Sequence, residues 1–386
     1  MKILFVVPNL NIGGITSSLI NSCNELQKRG HSVTLLDMSS CGENRGFDKG
    51  IEIKHLQGLE NYWRLTNTDA KKASGIRKIG LCLLGLIKKI TNRNRSSLWD
   101  RIIFRKNKEK YDVAVAFRQC APCYYYVLNK VNADKKIAFI HGDVEYMDGA
   151  EKSFLKFMPK FNKIAYVSNA VREGFVKKYP FLSANATTVY NMFDAAKIKK
   201  LSQAQNPILF DKSIKNIVTV ARVENSLKQI DWIPKICKIL KEKTEIKFKW
   251  YIVGDGPDME KDVQLAKELE VDDVVNFVGA TDNPFCIIKD ADFTVLPSKT
   301  EAYPMTVIES LIVGRPVVAT EYCSVHEVIK EGLNGMIAKR DLENVVDTVI
   351  DMLNDKNNAY SDCRRYLATY EYNDQVAYNQ FINAVG

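Results

Sequence analysis

Short apolar segments alternate with segments of helical periodicity along most of this chain. The first apolar segment, residues 2–7, runs into a glycine-containing loop, and a helical pattern follows from about Ile15 to Arg29. A second apolar segment begins after Gly30. Continuous apolar runs of this length are typical of strands buried in a parallel sheet, and strand, helix and strand in this order form a right-handed crossover unit. The pattern predicts an α/β protein.

The same alternation returns in the second half of the chain. Further buried strands are predicted at residues 111–117, 135–140, 163–167, 216–221, 250–253, 274–278 and 293–296. Between the two sets lies a polar, lysine-rich segment from about Asp194 to Lys215, which has the composition of an interdomain connection. With 386 residues, the chain is long enough for two domains that each have their own core. We expect these domains at residues 1–193 and 212–365.

One loop and helix, at residues 297–316, is predicted to begin its helix at Pro304 and to end it at Gly314. Proline is tolerated at the first helical position, and a residue without Cβ suits the left-handed cap at the end. The unpaired amides around Met305 and Thr306, with the positive end of the helix dipole, suit a diphosphate. Pro304 has no amide hydrogen and is excluded as a donor.

Two carboxylates bracket the start of this helix. Glu301 lies in the loop before it, and Glu309 lies in its second turn. Carboxylates accept hydrogen bonds from sugar hydroxyls, so this short segment could hold a sugar, its phosphates and a ribose. We include Tyr303, in the same loop, among the candidate binding residues. The alternative is a capped amphipathic helix whose carboxylates are only solvated.

Cationic and glycine-rich positions follow other strands of the second half. Arg222 comes directly after the strand at 216–221, and Lys228 follows six residues later. Fixed positive charges at the carboxyl end of a strand stabilise the charge that develops on a diphosphate leaving group. Gly254 opens a glycine-rich turn between a strand and a helix, which predicts a phosphate or nucleotide edge. The alternative for Arg222 and Lys228 is a pair of surface cations.

The first half carries its own candidates. Gly13 and Gly14, after the first strand, would let a backbone approach a phosphate or an acceptor, and a tight turn without a ligand is the alternative. His141 and Asp143 follow the strand at 135–140. Ligands of parallel sheets bind at the carboxyl ends of the strands, so both are candidate site residues.

These motifs together resemble glycosyltransferase family four. The signature is a Glu, seven residues and a second Glu, then a Gly-Arg-Pro-Val exit, here at Glu301, Glu309 and residues 314–317. An Ala-Arg-Val segment with Lys228 six residues after its arginine, and the Gly-Gly loop of the first half, resemble further parts of the family pattern. Two departures are Gln229, where the family has glycine, and Ile15-Thr16, where many members have a small residue and Glu.

The resemblance implies the GT-B architecture, with two Rossmann-like domains facing a cleft, the first binding the acceptor and the second the nucleotide sugar. It implies that Glu301 faces the donor sugar, that Glu309 binds the ribose, and that His141 lies near the anomeric carbon with Asp143 nearer the acceptor. It also implies that the C-terminal segment 366–386 packs back on the first domain. Residues from about 359 to 385 are predicted to be helical.

The implied function is retaining transfer of a sugar, with a UDP-sugar as donor and a glycan or lipid-linked saccharide as acceptor, in bacterial surface polysaccharide (capsule) synthesis. We expect no cofactor and no required metal. Asp290-Ala291-Asp292 has the form of a metal-binding triplet, but its place before a strand favours a helix-to-strand turn. Two alternatives stay open: a sugar-nucleotide epimerase on the same fold, and a membrane-docked binding protein.

The net charge of +9 is concentrated in one segment. Residues 71–110 hold thirteen Lys or Arg against Asp100 and Glu109, and the apolar positions among them have helical spacing. This pattern predicts docking to an anionic membrane surface, with a core helix that has a solvated basic face as the alternative. Because no zinc-finger, helix-turn-helix or RNP signal accompanies the charge, nucleic-acid binding is not expected.

Cysteine usage and hydropathy indicate the compartment. The nine cysteines are scattered, which favours a reducing cytoplasm over a disulfide scaffold. Cys120 and Cys123 form the one pair with redox or metal spacing, and no second Cys pair or neighbouring His completes a zinc set. The longest apolar run, residues 79–87, is too short to span a membrane. We expect a cytoplasmic protein without a signal peptide, placed peripherally on the inner face of the plasma membrane if the basic segment docks there.

Overall fold

The structure is a computed structural model that describes residues 1–11, 13–39, 46–56, 104–147 and 151–386. The chain divides into two compact units. The first contains Met1–Val167, Arg172–Phe193 and Gln375–Gly386, and the second contains Ser168–Val171 and Asp194–Asp374. Most of the basic segment predicted for membrane docking, residues 71–103, lies outside the described residues. Within the described ranges, the helices are too short or too polar to cross a membrane.

The first unit is built on a parallel sheet. Its described strands are β1 Lys2–Val7, β2 Ser32–Asp37, β3 Glu52–His55, β4 Lys110–Ala116, β5 Asn132–Ile140, β6 Lys163–Tyr166 and β7 Ala186–Thr188. They lie in the order β3-β2-β1-β4-β5-β6-β7, and all described pairs are parallel. The central strands are apolar and buried on both faces because helices cover the sheet.

The second unit repeats this plan. Its strands are β8 Lys215–Val220, β9 Phe248–Val253, β10 Val275–Gly279, β11 Phe293–Leu296, β12 Val317–Thr320 and β13 Gly335–Ala338. They lie in the order β10-β9-β8-β11-β12-β13, again with parallel pairs. The largest buried side chain, Trp250, donates its indole N–H to Thr219 Oγ1 at 3.0 Å, and the Thr219 hydroxyl donates to the carbonyl of Val295 at 2.7 Å. The core therefore buries this indole without an unpaired donor.

The helices fall between the strands as the periodicity predicts. Those of the first unit and its border are α1 Gly14–Lys28, α2 Ala121–Lys130, α3 Glu151–Phe157 and α4 Asn169–Lys178, with 3-10 turns at Val144–Tyr146, Met158–Lys160 and Pro180–Asn185. Those of the second unit are α5 Ala195–Leu201, α6 Asn225–Lys228, α7 Trp232–Lys243, α8 Met259–Glu268, α9 Phe285–Asp290, α10 Met305–Ile312, α11 Val325–Val328, α12 Leu342–Leu353 and α13 Ala359–Leu367, with a 3-10 turn at Lys356–Asn358. The last helix is α14 Gln375–Val385.

Each sheet has the strand order of a Rossmann-like domain, in which the direction of strand addition reverses beside the first strand. The reversal lies between β1 and β4 in the first unit and between β8 and β11 in the second. The predicted α/β class with two Rossmann-like domains is confirmed. Because crossover helices leave to opposite faces at such a point, each sheet has a crevice at the carboxyl ends of these two strands.

The C-terminal segment differs from the predicted continuous helical piece. It forms two helices, α13 and α14, separated by residues 368–374. The first of them belongs to the second unit, whereas α14 belongs to the first. Phe381 of α14 is 1% exposed and lies 6.4 Å from the ring of Phe5 and 6.5 Å from the ring of Phe139. The last helix is therefore part of the core of the first unit.

We expect Phe381→Ala to lower the free energy of unfolding of the first unit by about 3–5 kcal/mol, because it removes a large ring that is fully buried. Urea titration followed by circular dichroism measures this change. Val376→Ala is the matched control, since Val376 lies in the same helix and is 46% exposed. It should change the free energy by no more than about 0.5 kcal/mol. Equal effects of the two substitutions would contradict the packing of α14.

Candidate active site

The predicted binding residues of the second unit lie around its strand reversal. The loop after β8 carries Arg222 and leads to α6, which ends at Lys228. The loop after β11 carries Glu301 and leads into α10, which carries Glu309. Because β8 and β11 are neighbours, their carboxyl ends bring these segments to one edge of the sheet. The topology thus unites residues that are up to 87 positions apart in the sequence.

The loop that carries Arg222 is held in place by backbone contacts with the loop after β9. Gly254 has φ +155°, and a Cβ at this position would lie 1.8 Å from the carbonyl oxygen of Ala221. The amide of Val223 donates to the carbonyl of Asp255 at 3.1 Å, and its carbonyl accepts from Asp258 at 3.2 Å. Glycine is required at position 254 because any side chain would overlap with the backbone of Ala221. Substrate contact by Gly254 stays a prediction.

Helix α6 is fixed by a side chain that the sequence did not single out. The amide of Asn225 donates to Asp258 Oδ2 at 2.8 Å, and its Nδ2 donates to Asp262 Oδ1 at 2.7 Å. Asn225 Oδ1 accepts from the amide of Asp231 at 3.0 Å. Burial raises the pKa of Asp262. Asn225 therefore ties both ends of the short helix to α8 and sets the position of Lys228.

Glu301 is paired rather than free. Its Oε1 accepts from Lys228 Nζ at 2.5 Å and from Ser298 Oγ at 2.8 Å, and its side chain is 13% exposed. Ser324 Oγ donates to its carbonyl oxygen at 3.0 Å. Within the described part of the chain, Oε2 of Glu301 has no hydrogen-bond partner. Two hydrogen bonds thus fix Oε1 of Glu301, and Oε2 is available to accept a hydrogen bond from a ligand.

The side chain of Arg222 is more exposed and more weakly paired than that of Lys228. Its side chain is 67% exposed, and its one ion pair among the described residues is with Glu224 Oε2 at 3.8 Å, near the limit for such a contact. An exposed guanidinium at this position can reach an incoming anion without first leaving a strong partner.

Helix α10 begins at Met305, one residue later than predicted. Pro304 has φ −77° and ψ 100°, so it is the extended residue before the helix rather than its first turn. Pro304 supplies no side-chain cap, and the first turn of the helix contains no acidic residue. The predicted end is confirmed, because Gly314 has φ +77°.

Glu309 lies in the second turn of α10 and is 9% exposed. Burial raises the pKa of its carboxyl from the ordinary 4.5 to about 7. Among the described residues, nothing donates a hydrogen bond to this carboxyl group. Burying an acid without a donor costs free energy when it ionises, and functional sites are where such costs are found.

Two further positions in this unit bear on the predictions. Tyr303 shares a side-chain hydrogen bond with Tyr372, which fixes the loop before α10 to the segment after α13.

Gln229, where the resemblance led us to expect glycine, has φ +51° and ψ +41°. This left-handed conformation is the reason for glycine at that position, and the chain adopts it here with a larger residue.

In the first unit, the predicted residues lie at the corresponding edge. Gly13 has φ +154° and precedes α1, of which Gly14 is the first residue. Asp143 follows β5 and accepts from the amide of Glu145 at 3.2 Å, so it caps the 3-10 turn at Val144–Tyr146. Contact of these residues with an acceptor stays a prediction.

His141 lies between aromatic rings at the end of β5. Its ring centre is 4.6 Å from that of Phe117 and 5.8 Å from that of Phe139. The Nε2 atom is buried and has no hydrogen-bond partner among the described residues. Burial lowers the pKa of His141 to about 3, so the ring is neutral at pH 7. It can exchange one hydrogen bond with a hydroxyl but cannot carry a charge at neutral pH.

Several other predicted features have structural explanations. Asp292 follows α9, accepts from the amide of Asn216 at 2.8 Å and pairs with Lys215 at 3.3 Å, so the acidic triplet is the predicted helix-to-strand turn. Cys123 is buried and Cys120 precedes α2. In the described ranges, no group of three or more His, Cys, Asp or Glu side chains could hold a metal.

Part of the second unit matches a known family. Residues 214–355 match the family model of glycosyl transferases group 1. N-acetyl-alpha-D-glucosaminyl L-malate synthase of Bacillus anthracis is 28% identical over 172 residues, which is 44% of this chain and 44% of that protein. The poly(ribitol-phosphate) alpha-N-acetylglucosaminyltransferase of Staphylococcus aureus is 21% identical over 207 residues, 53% of this chain and 39% of that protein. The chain spans about half the length of the curated relatives that it matches.

Solved structures match over the whole chain. S. aureus TarM, in a complex with Fondaparinux, alpha-GlcNAc-glycerol and UDP, is 15% identical with a TM-score of 0.69, covering 100% of this chain and 99% of that one. Anabaena HepE, in a complex with UDP-glucose, is 16% identical with a TM-score of 0.66, covering 100% and 99%. These likenesses show the fold, two Rossmann-like domains of the GT-B type. The predicted resemblance is confirmed, and residues 214–355 carry the match to glycosyl transferases group 1.

We expect Glu309→Gln to stabilise the ligand-free protein at pH 8 and to have little effect at pH 5. The folded state binds this proton more tightly than the unfolded state, so the wild-type acid destabilises the fold increasingly as the pH rises from about 4.5 to about 7. A neutral amide avoids this cost, which is about 3 kcal/mol at pH 8 and under about 1 kcal/mol at pH 5.

Urea titrations of both proteins at the two pH values measure the difference. Glu242→Gln, which changes an exposed carboxylate of α7, is the control and should show no comparable pH dependence. A gain for Glu309→Gln that is the same at pH 5 and pH 8 would argue against an elevated pKa.

We expect Gln229→Gly to raise the free energy of unfolding by about 0.5–1 kcal/mol, because glycine adopts the left-handed conformation without a Cβ clash. Ser226→Gly, at an exposed helical position of α6, is the matched control and should lower the free energy by about 0.5–1 kcal/mol. Differential scanning calorimetry of the two variants measures both signs. Destabilisation by Gln229→Gly would show that its side chain contributes more than its backbone conformation costs.

Proposed function

We propose that this protein is a retaining glycosyltransferase that moves a sugar from a nucleotide sugar to a saccharide acceptor. The observation that carries the proposal is the edge of the second unit at β8 and β11. There the exposed Arg222, the Lys228–Glu301 pair, the start of α10 and the buried Glu309 all follow neighbouring strands of one sheet. We assign the diphosphate to Arg222 and the start of α10, the sugar to Glu301, and the ribose to Glu309.

The diphosphate is assigned to the cations and the helix. A leaving diphosphate gains negative charge as the glycosidic bond breaks, and Arg222 and the start of α10 supply fixed positive charge that stabilises it. Lys228 is already oriented by α6 and by Glu301. A bound diphosphate would attract Lys228 as well, so that one ammonium group joins the phosphate to the carboxylate that holds the sugar.

The proposed mechanism is attack on the same face of the sugar. The bond between C1 and the diphosphate oxygen breaks, the bond between C1 and the acceptor oxygen forms on that face, and the acceptor proton passes to the leaving phosphate. Retaining glycoside hydrolases that form a covalent intermediate use two carboxylates about 5–5.5 Å apart, one of them as the nucleophile. Glu301 is held by Lys228 and Ser298, a setting that suits a hydrogen-bond acceptor of sugar hydroxyls better than a nucleophile.

The donor and acceptor classes are supported by the relatives. Structures of the same fold contain UDP or UDP-glucose, which supports a UDP-sugar as donor. The curated relatives include a lipopolysaccharide 1,6-galactosyltransferase and a putative colanic acid biosynthesis glycosyltransferase. We therefore propose a glycan or lipid-linked saccharide as acceptor, in bacterial surface polysaccharide synthesis. A reaction without a metal, and docking of residues 71–110 to the inner face of the plasma membrane, belong to the same proposal.

The test of the donor site is a thermal-shift panel of UDP, GDP and ADP, each with magnesium and with EDTA. A ligand at about 100 times its Kd adds roughly 2.7 kcal/mol of stability, which is a shift of about 2–4 °C for domains of this size. We expect UDP to stabilise the protein equally with EDTA, and Arg222→Gln to abolish the shift. Arg365→Gln, which removes an exposed arginine of the same unit that pairs with Asp362, should keep it.

The assignment of the reaction is tested with a radiolabelled UDP-sugar. Glu301→Gln should reduce kcat/KM for transfer or donor hydrolysis at least a hundredfold, because the sugar loses a charged acceptor. Conversion of the UDP-sugar to an epimer without any acceptor would support the epimerase instead. A panel in which no nucleotide shifts the protein would favour the binding protein. Trapping of a covalent glycosyl-enzyme would contradict same-face attack.

A further inference from the structure

The loop that carries Glu301 is held by two residues at the end of β12 that the sequence did not single out. Thr320 is the last residue of this strand, and its Oγ1 donates to the carbonyl of Ser298 at 2.5 Å. Ser324 lies four residues later, and its Oγ donates to the carbonyl of Glu301 at 3.0 Å. Strands β11 and β12 are parallel neighbours, so the loops that follow them lie at the same edge of the sheet. Two hydroxyls thus join the first and last residues of segment 298–301 to the neighbouring loop.

Both hydroxyls are buried and directed to this segment. Thr320 is 1% exposed, and its other acceptor, the carbonyl of Leu296, is more distant at 3.3 Å. Ser324 is 0% exposed and immediately precedes α11, where a serine hydroxyl commonly accepts a hydrogen bond from a helix amide. Among the described residues it forms no such cap, and it donates to the carbonyl of Glu301 instead. The usual local role of this serine is therefore replaced by a contact with the candidate site.

Tyr322 anchors the loop between these two hydroxyls in the core. It is 4% exposed, and its ring belongs to one apolar cluster with Leu296 of β11 and Val307 of α10. Burial, and after it the charge of Glu301, raise the pKa of Tyr322, so the ring lies within the electrostatic reach of the carboxylate. The loop after β12 is thus fixed by packing on one side and donates its hydroxyls to the Glu301 loop on the other.

Further contacts fix the middle of the Glu301 loop. The amide of Lys299 donates to the carbonyl of Leu227 in α6 at 2.8 Å, and the carbonyl of Lys299 accepts from Arg340 Nη1 at 2.9 Å. Ser298 Oγ donates to Glu301 Oε1 at 2.8 Å. Hydrogen bonds are directional, so these contacts orient the backbone and the carboxylate together. The direction of the Glu301 side chain is therefore set by neighbouring loops.

We propose that Thr320 and Ser324 are positioning residues, whose hydroxyls hold the Glu301 carboxylate in the direction that the donor sugar requires. The assignment of the sugar to Glu301 rests on the proposed function. The diphosphate and the ribose are assigned to other groups, namely Arg222, the start of α10 and Glu309. Loss of either hydroxyl should therefore slow the transfer of the sugar and leave the binding of UDP intact. A displacement of about 1 Å in a reacting geometry can reduce a rate about a hundredfold.

The first experiment compares Thr320→Val with Thr320→Ser. Valine keeps the shape of threonine and lacks the hydroxyl, whereas serine keeps the hydroxyl and lacks the methyl group. With the radiolabelled UDP-sugar that the wild-type protein uses as donor, we expect Thr320→Val to lower kcat/KM at least tenfold. Thr320→Ser should stay within about threefold of the wild type. Equal losses in the two variants would show that packing, and not the hydroxyl, is what matters at this position.

The second experiment tests whether Ser324 acts through Glu301. Ser324→Ala is made in the wild-type protein and in Glu301→Gln, and kcat/KM is measured in both backgrounds. We expect a loss of at least tenfold in the wild type and of less than about twofold in Glu301→Gln, because the charged group that Ser324 positions is already gone. Ser202→Ala is the matched control, since Ser202 is 3% exposed and its Oγ donates to the carbonyl of Lys199 at 2.8 Å. It should leave kcat/KM unchanged in both backgrounds.

Calorimetric titration with UDP accompanies each variant and reports whether the second unit is folded. We expect the Kd of UDP to stay within about twofold of the wild-type value. A loss of UDP affinity as large as the loss of kcat/KM would overturn the proposal, and so would an equal effect of Ser324→Ala in the two backgrounds, because a merely structural role predicts both. A wild-type protein that turns over no UDP-sugar would instead contradict the proposed function. The wild-type control therefore tells the two failures apart.

Discussion

The reversal of strand order in each sheet is the constraint on which the rest of this protein depends. Strands β8 and β11 pair in parallel, and their following helices must leave to opposite faces. A crevice at their carboxyl ends is then unavoidable, and side chains placed one to eight residues beyond the strands line it. The first unit has the same arrangement at β1 and β4.

Polar contacts rather than apolar packing give the site in the second unit its geometry. Asn225 fixes α6 through Asp258, Asp262 and the amide of Asp231, and Ser298 and Lys228 hold the same oxygen of Glu301. Such networks are directional, so they orient a group more closely than packing does. The loop between β8 and α6 is in addition pressed against the loop after β9, where Gly254 leaves no room for a side chain.

Three residues of the candidate sites have features that lower the stability of the protein. Glu309 is buried without a hydrogen-bond donor among the described residues, and Gln229 keeps a left-handed conformation without being glycine. His141 likewise leaves a buried nitrogen unpartnered within the described chain. Each feature costs free energy in the empty protein. Local conflicts of this kind collect at functional sites, and here they fall at the two sheet edges where ligands of this fold bind.

The sequence alone determined the alternation of strands and helices, the parallel α/β class and the place of the glycine caps. Burial on both faces demands continuous apolar strands, and residues such as Gly254 and Gly314 have conformations or contacts that other residues do not tolerate. Glu301, Arg222 and Lys228 could be singled out because each follows a predicted strand. These signals are local, and local signals can be read from spacing.

Only the tertiary structure decided which side chains are paired and which are left free. Lys228 and Glu301 are 73 residues apart, and the sequence of neither segment predicts their ion pair. Asn225 has an ordinary sequence context, and its contacts with Asp258 and Asp262 arise because adjacent strands bring distant loops together. The break between α13 and α14 also depends on packing, since one helix belongs to the second unit and the other to the first. Pairing, burial and charge balance are properties of neighbours in space, and the chain order does not contain them.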